Sequence, residues 1–215
     1  MINLALKLKV LDELVWQPGI DEAHIGVTVR GGVVTLTGYV RSYAEKCLAE
    51  QAAGRVLGVR AIADELQICY LSSHDDGDEA LARRALAVIA WDLSVPKDRV
   101  RIGIEKGWVT LSGDVDWRFQ MQAAEANIRN LPGVMGVSNA IEIKPKVGVC
   151  DVEKQIRAAF RRNAEFDAEN IVVTADGRTV TLTGLVGSYF ERTLAADTAW
   201  SAPGITQVND LLTVE

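Results

Sequence analysis

The chain has 215 residues, 48% hydrophobic and 24% charged, a balance that excludes a disordered or low-complexity segment as its main content and fits an ordinary soluble globular protein. Its formal net charge of −6 excludes a basic surplus, so duplex nucleic acid is not an expected partner. The longest apolar run, residues 85–91, is far below bilayer-spanning length, so no transmembrane segment is expected.

Taken in chain order, residues 3–15 predict an amphipathic helix. Lysines and acids interrupt what would be a signal-peptide core there. The location expected for the sequence as given is therefore cytoplasmic, or periplasmic if an N-terminal signal has been removed. Residues 25–30 alternate apolar and polar, which predicts a strand with one buried face. Gly31-Gly32 marks a tight hairpin turn, and residues 33–37 predict the return strand. Gly38 is expected to end it, through a positive φ or a close backbone approach. Ser42-Tyr43-Ala44-Glu45 spells a capping box at the start of a second helix. Ala44, Leu48, Ala49, Ala52, Ala53 and Val56 fall on one face of that helix, and Gly58 is expected to terminate it. Residues 64–68 predict a last strand.

The same order then recurs twice. Thr35-Leu36-Thr37-Gly38 returns as Thr110-Leu111-Ser112-Gly113 and as Thr181-Leu182-Thr183-Gly184. A second glycine follows each time at an interval of 20 residues, at Gly58, Gly133 and Gly204. Such fixed self-similarity reads as a repeated supersecondary unit. Leading helices are expected over residues 78–91 and 151–163. Hairpin turns are expected at Lys106-Gly107 and Asp176-Gly177. In the second copy Asp116 is the expected helix cap, with Gln120 near the glutamate position. Ser188-Tyr189-Phe190-Glu191 is the capping box of the third. The apolar face of the second helix is read as Phe119, Ala123, Ala124, Ile128 and Leu131 in copy two, and as Phe190, Leu194, Ala195, Ala199 and Ala202 in copy three. Last strands follow over residues 139–143 and 210–214.

These elements give an α+β fold of three tandem α-β-β-α-β modules, each a three-stranded mixed sheet with two helices on one face. The modules are expected at residues 1–72, 77–145 and 149–215. The polar, glycine-containing stretch 72–79 and residues 145–148 are the linkers. The acidic run beginning at Asp75 lacks the ligand alternation of a calcium loop and reads as solvated linker.

The order of elements, the Thr-Leu-Thr/Ser-Gly strand segment and the glycine followed by Val59, Val134 or Ile205 together resemble the BON domain, three times over. That family takes its name from bacterial osmotically inducible and nodulation-related proteins. The resemblance implies a non-enzymatic binding or scaffolding protein of osmotic stress, transport or the cell envelope. Its implied partners are phospholipid headgroups or an envelope or stress protein. The glycines Gly38, Gly113, Gly184, Gly58, Gly133 and Gly204 are structural in this reading and carry no chemistry.

No phosphate-binding loop, dinucleotide fingerprint, nucleophile elbow or zinc-protease motif occurs. No catalytic residue, cofactor or metal site is expected. His24 and His74 fall at unmatched positions and read as surface residues. Cys47, Cys69 and Cys150 lack motif spacing and read as small buried or half-buried thiols. Tyr39 and Trp117 flank the loop after the glycine, near Tyr43 and Tyr189. Aromatics there serve either a membrane or ligand contact or the seal between modules. Arg157, Arg161 and Arg162 form a basic stripe by helical spacing, with Arg83 and Arg84 the nearest analogue in copy two. That stripe is either a solvated face or a contact for anionic headgroups or an acidic protein. The alternative to the binding reading is a cytosolic ion or small-metabolite sensor built from three modules. The oligomeric state is left open.

Overall fold

The structure is a computed structural model that describes residues 2–69, 77–96, 98–145, 151–162 and 170–214. His74, most of the first linker, residues 146–148 of the second, Cys150 and Asn163 lie outside the described residues.

The first module runs α1 (Ile2–Trp16), β1 (Ile25–Arg30), β2 (Val33–Val40), α2 (Tyr43–Gly54) and β3 (Ala61–Ile68). The second runs α3 (Gly77–Trp91), β4 (Val100–Glu105), β5 (Trp108–Val115), α4 (Arg118–Arg129) and β6 (Gly136–Ile143). The third runs α5 (Val152–Arg162), β7 (Ile171–Asp176), β8 (Thr179–Val186), α6 (Tyr189–Trp200) and β9 (Gln207–Val214). Each sheet has three strands with the second at the centre, in the orders β1-β2-β3, β4-β5-β6 and β7-β8-β9. The middle strand pairs antiparallel with its hairpin partner and parallel with the last strand, as in β5 with β4 and β6 and β8 with β7 and β9. The fold class is therefore α+β, with three repeated modules.

Two periodicities build each core. Alternate strand residues point inward, so Val27, Val34 and Leu36 are buried in the first sheet, Val109 and Leu111 in the second, and Val173, Val180 and Leu182 in the third. The leading helices contribute residues four apart: Leu6, Val10 and Leu14 from α1, Leu81 and Ala85 from α3, and Val152, Ile156 and Phe160 from α5. The second helices offer alanines, Ala49, Ala52 and Ala53 in α2, Ala124 in α4 and Ala195 and Ala199 in α6, which let helix and sheet approach closely. Burying one of the larger side chains contributes roughly 1.5–3 kcal/mol. Phe119 and Phe190, expected on that inner face, are exposed instead. Each stands five residues before the first fully buried alanine of its helix, which turns it about 140° away from the sheet.

The first glycine of each repeat does not end the strand as expected. Gly38, Gly113 and Gly184 lie inside β2, β5 and β8, with φ of +112°, +121° and +130°. A Cβ on any of them would overlap a main-chain carbonyl oxygen, that of His24, Arg99 or Asn170 respectively. In the second and third modules the same carbonyl accepts the N–H of the next residue, Asp114 at 3.4 Å and Leu185 at 3.3 Å. The glycine lets the edge strand begin against the central strand without a side chain between them.

The second glycine does not end the helix either. The helices end at Gly54, Arg129 and Trp200, and Gly58, Gly133 and Gly204 follow in the turn with φ between +84° and +95°. That turn sends the chain into the parallel strand. Its first hydrogen bond joins it to the hairpin: Arg60 N–H to Gly32 O at 2.9 Å, Met135 to Gly107 at 2.9 Å and Thr206 to Arg178 at 3.0 Å.

In the third module the serine half of the capping box forms, and the glutamate reaches one residue before the cap. Ser188 Oγ accepts the Glu191 N–H at 3.1 Å, and the Glu191 carboxylate accepts from Gly187 at 2.7 Å. In the second module the cap residue is Trp117 rather than Asp116. Gln120 Oε1 accepts the N–H groups of both Asp116 and Trp117. The Asp116 carboxylate turns to Arg99, which it meets at 3.0 Å. In the first module Glu45 is buried and accepts the distant Asp21 N–H at 2.8 Å.

The chain divides into two compact units. One holds the first and third modules, and in it the Tyr189 ring lies against Gly54, so close that a Cβ on Gly54 would come within 3.1 Å of the ring. The other holds the second module together with Arg41–Ala44, and Tyr43 of that segment packs on its apolar core. Both tyrosines occupy the first position of a second helix.

Candidate functional site

The three leading helices share a buried face and differ on the outer one. Counted back from Gly38, Gly113 and Gly184, the position of Lys154 is Leu8 in α1 and Arg83 in α3. Arg157 matches Leu11 and Leu86, Arg161 matches Val15 and Ala90, and Arg162 matches Trp16 and Trp91. Thus α1 and α3 carry exposed apolar residues, among them Leu8, Val15, Trp16, Leu86 and Trp91, where α5 carries cations.

Beside α5 runs an open groove of about 940 Å³, lined on the helix side by residues 151–154, 157, 158, 161 and 162, and on the sheet side by Ala175 and Gly177 at the β7–β8 hairpin. The buried stripe Val152, Ile156 and Phe160 fixes the helix on the sheet, and this rotates Lys154, Arg157 and Arg161 outward. Arg157 is held in place. Its guanidinium donates to Val173 O at 3.1 Å and pairs with Glu153 at 2.9 Å. Neither Arg161 nor Arg162 has an ion-pair partner among the described residues. Four cations against the two acids Asp151 and Glu153 make the groove a local basic surplus in an acidic chain.

The three arginines singled out from the sequence therefore line one cavity. Lys154 completes the set and was missed, although it stands seven residues before Arg161 and so on the same helical face. Tyr39 and Trp117 are not among the lining residues. Tyr39 is 56% exposed near the end of β2, and Trp117 is half-buried at the start of α4. The proposed analogue in the second module behaves differently. Arg83 pairs loosely with Glu79 at 3.6 Å, and Arg84 donates to Pro132 O at 3.3 Å.

Elsewhere polar side chains bond to neighbouring groups of the fold. Arg99 bridges Asp114 and Asp116, and its hydrogen bond is the main cause holding the Asp114 carboxyl below the usual value. Asp92 is held low chiefly by the Ser94 N–H. His24 is exposed and lies 3.4 Å from Asp21. Cys47 is half-buried, within the expectation of buried or half-buried thiols, and Cys69 is exposed and departs from it. Among the described residues no group of three or more His, Cys, Asp or Glu side chains is placed to hold a metal.

Comparison with known proteins matches the BON domain at residues 4–70, 77–145 and 151–215. Osmotically-inducible protein Y of Escherichia coli is 32% identical over 148 residues, which cover 67% of this chain and 74% of that protein. Two structures of CdsD, described as a structural protein of the type III secretion system of Chlamydia trachomatis, align at 16% identity over 98% of this chain. They span 92% and 97% of those chains, with TM-scores of 0.25 and 0.26.

Proposed function

The chain belongs to the BON domain family, and on that premise we propose that it is a non-enzymatic binding protein of osmotic-stress or envelope physiology whose third module takes anionic phospholipid headgroups into the groove along α5. The observation that carries this reading is the set of four cations, Lys154, Arg157, Arg161 and Arg162, around one cavity in a chain of net charge −6. A guanidinium binds phosphate through paired N–H donors, which suits arginine to a phosphodiester. Attachment would be peripheral, since among the described residues no helix is long and apolar enough to cross a membrane. The exposed apolar stripe of α1, with Leu4, Leu8, Val15 and Trp16, is suited to rest in the interfacial region of a bilayer.

Flotation with phosphatidylglycerol vesicles at low salt tests the proposal, with phosphatidylcholine vesicles as the control. Binding to the first that weakens as salt is raised is the expected result. Absence of binding to anionic vesicles at low salt would overturn it. A second reading is a sensor for a small anionic metabolite. The groove volume favours it, since about 940 Å³ lies within the range of small-molecule pockets. A ligand that binds only the folded state raises the melting temperature, so a thermal-shift screen separates the two readings.

A further inference from the structure

The leading helix α1 carries two apolar stripes. Leu6, Val10 and Leu14 are buried and hold it on its own module. Leu4, Leu8, Leu11 and Val15 form the second, about 130° round the helix from the first. Leu4, Leu8 and Val15 are each more than half exposed, and Leu11 is half-buried. The module does not need this second stripe to fold. The same positions in α3 are Glu79, Arg83, Leu86 and Ala90, and Lys154, Arg157 and Arg161 stand at the last three of them in α5.

The two stripes differ in period. The buried one repeats every four residues, whereas the exposed one steps by four, three and four. The second spacing is that of a coiled-coil seam, with Leu4 and Leu11 at the d position and Leu8 and Val15 at the a position. Lys7 then falls at g and Asp12 at e, one on each side of the seam. Neither has an ion-pair partner among the described residues. In a parallel pair of helices, g on one strand faces the e position five residues later on the other, so Lys7 of each copy meets the partner's Asp12. An antiparallel pair gathers the two lysines on one side and the two aspartates on the other, and both attractions are lost.

We propose that the outer face of α1 docks a second copy of this chain as a parallel two-stranded seam of Leu4, Leu8, Leu11 and Val15, flanked by two Lys7–Asp12 ion pairs. The helix is held by its module before pairing, so association does not carry the ordering cost of an isolated 15-residue helix. The seam spans about 16 Å, and the pairing is therefore weak and reversible. The α5 groove plays no part in it. A bilayer competes for the same stripe, so the dimer is the form of the chain away from lipid.

Sedimentation equilibrium of the full chain without lipid, over a range of concentrations, measures the pairing. The expected mass rises from 23.4 kDa toward twice that value. Because α3 and α5 fold with Arg83 and Lys154 at the position of Leu8, Leu8→Gln is expected to keep the circular dichroism of the native chain. It removes a seam leucine from both copies and is expected to weaken pairing by roughly tenfold. Lys7→Glu is expected to weaken it about threefold, and the swapped variant Lys7→Glu, Asp12→Lys to restore it. A mass of one chain at every concentration up to about 1 mM overturns the proposal. Pairing that Leu8→Gln leaves unchanged overturns it too, since the interface then lies elsewhere. A charge swap that restores nothing overturns the parallel arrangement. A monomeric chain whose flotation with phosphatidylglycerol vesicles is weakened by Leu8→Gln gives the stripe to the bilayer and overturns the pairing.

Discussion

Gly184→Ala probes the strictest demand this fold makes on its sequence. Gly184 has φ +130°, outside the small left-handed region that alanine tolerates, and holding a side chain there costs about 1–3 kcal/mol. The new Cβ would also overlap Asn170 O, which accepts the Leu185 N–H at 3.3 Å. The start of β7 must therefore move away, and losing that hydrogen bond adds about 1 kcal/mol. The sum is about 2–4 kcal/mol, concentrated in the third module. Gly177→Ala is the matched control. Its φ is +57° and its Cβ would meet nothing within 4 Å, so it carries a positive-φ cost without the overlap on a carbonyl oxygen. A single melting temperature is a poor readout for a chain of three modules. Native-state hydrogen exchange of the β7 and β8 amides reads the third module by itself. If Gly184→Ala lowers their protection no more than Gly177→Ala does, the steric account of the repeated glycine is wrong.

Asp78→Ala removes the hydrogen bonds that the carboxylate accepts from the N–H groups of Lys106 and Gly107 in the β4–β5 turn, at 2.7 and 2.9 Å, and should lower the stability of the second module by about 1–2 kcal/mol, read by exchange of the β4 amides. Gly54→Ala should destabilise the first module in the native chain, because its Cβ would press on the Tyr189 ring, and should become neutral or stabilising in a Tyr189→Ala background. A double-mutant cycle by denaturant titration checks the change of sign. Arg99→Gln should raise the Asp114 carboxyl toward its ordinary value of 3.8, followed by carbon-13 NMR. Because the folded-state value is depressed, the Asp114 contribution is present above that ordinary value and is lost as pH falls through the lower folded one. Native second-module stability should therefore fall on acidification below about pH 4, and less steeply in the Arg99 variant.

What the sequence revealed was mostly what repeats locally. Period-two strands, four-residue helix stripes and the recurring glycines gave element order and sheet composition in all three modules. The function assigned to each glycine was less visible. A positive φ at Gly113 was legible, but the reason lies in the Arg99 carbonyl, which only the register of β4 on β5 brings beneath it. Asp78 read as one acid of a solvated linker run, at the residue where a helix was expected to begin. Its actual partners are turn N–H groups 28 and 29 residues away, set by tertiary packing. The arginines of α5 were legible as a stripe because helical spacing alone aligns them. The cavity they face depends on the docking of α5 against the β7–β8 hairpin, and no local pattern encodes that.

The contact of Tyr189 with Gly54 ties together positions 135 apart in the polypeptide. During synthesis the first module would leave the ribosome with that side of α2 bare until α6 had been made. Its early neighbour along the message is the second module, yet its compact unit is shared with the third. Assembly of that unit is therefore a late step that waits for the third module to be translated, and a truncated product ending after the second module would present an unfilled tyrosine socket to the quality-control machinery of the cell.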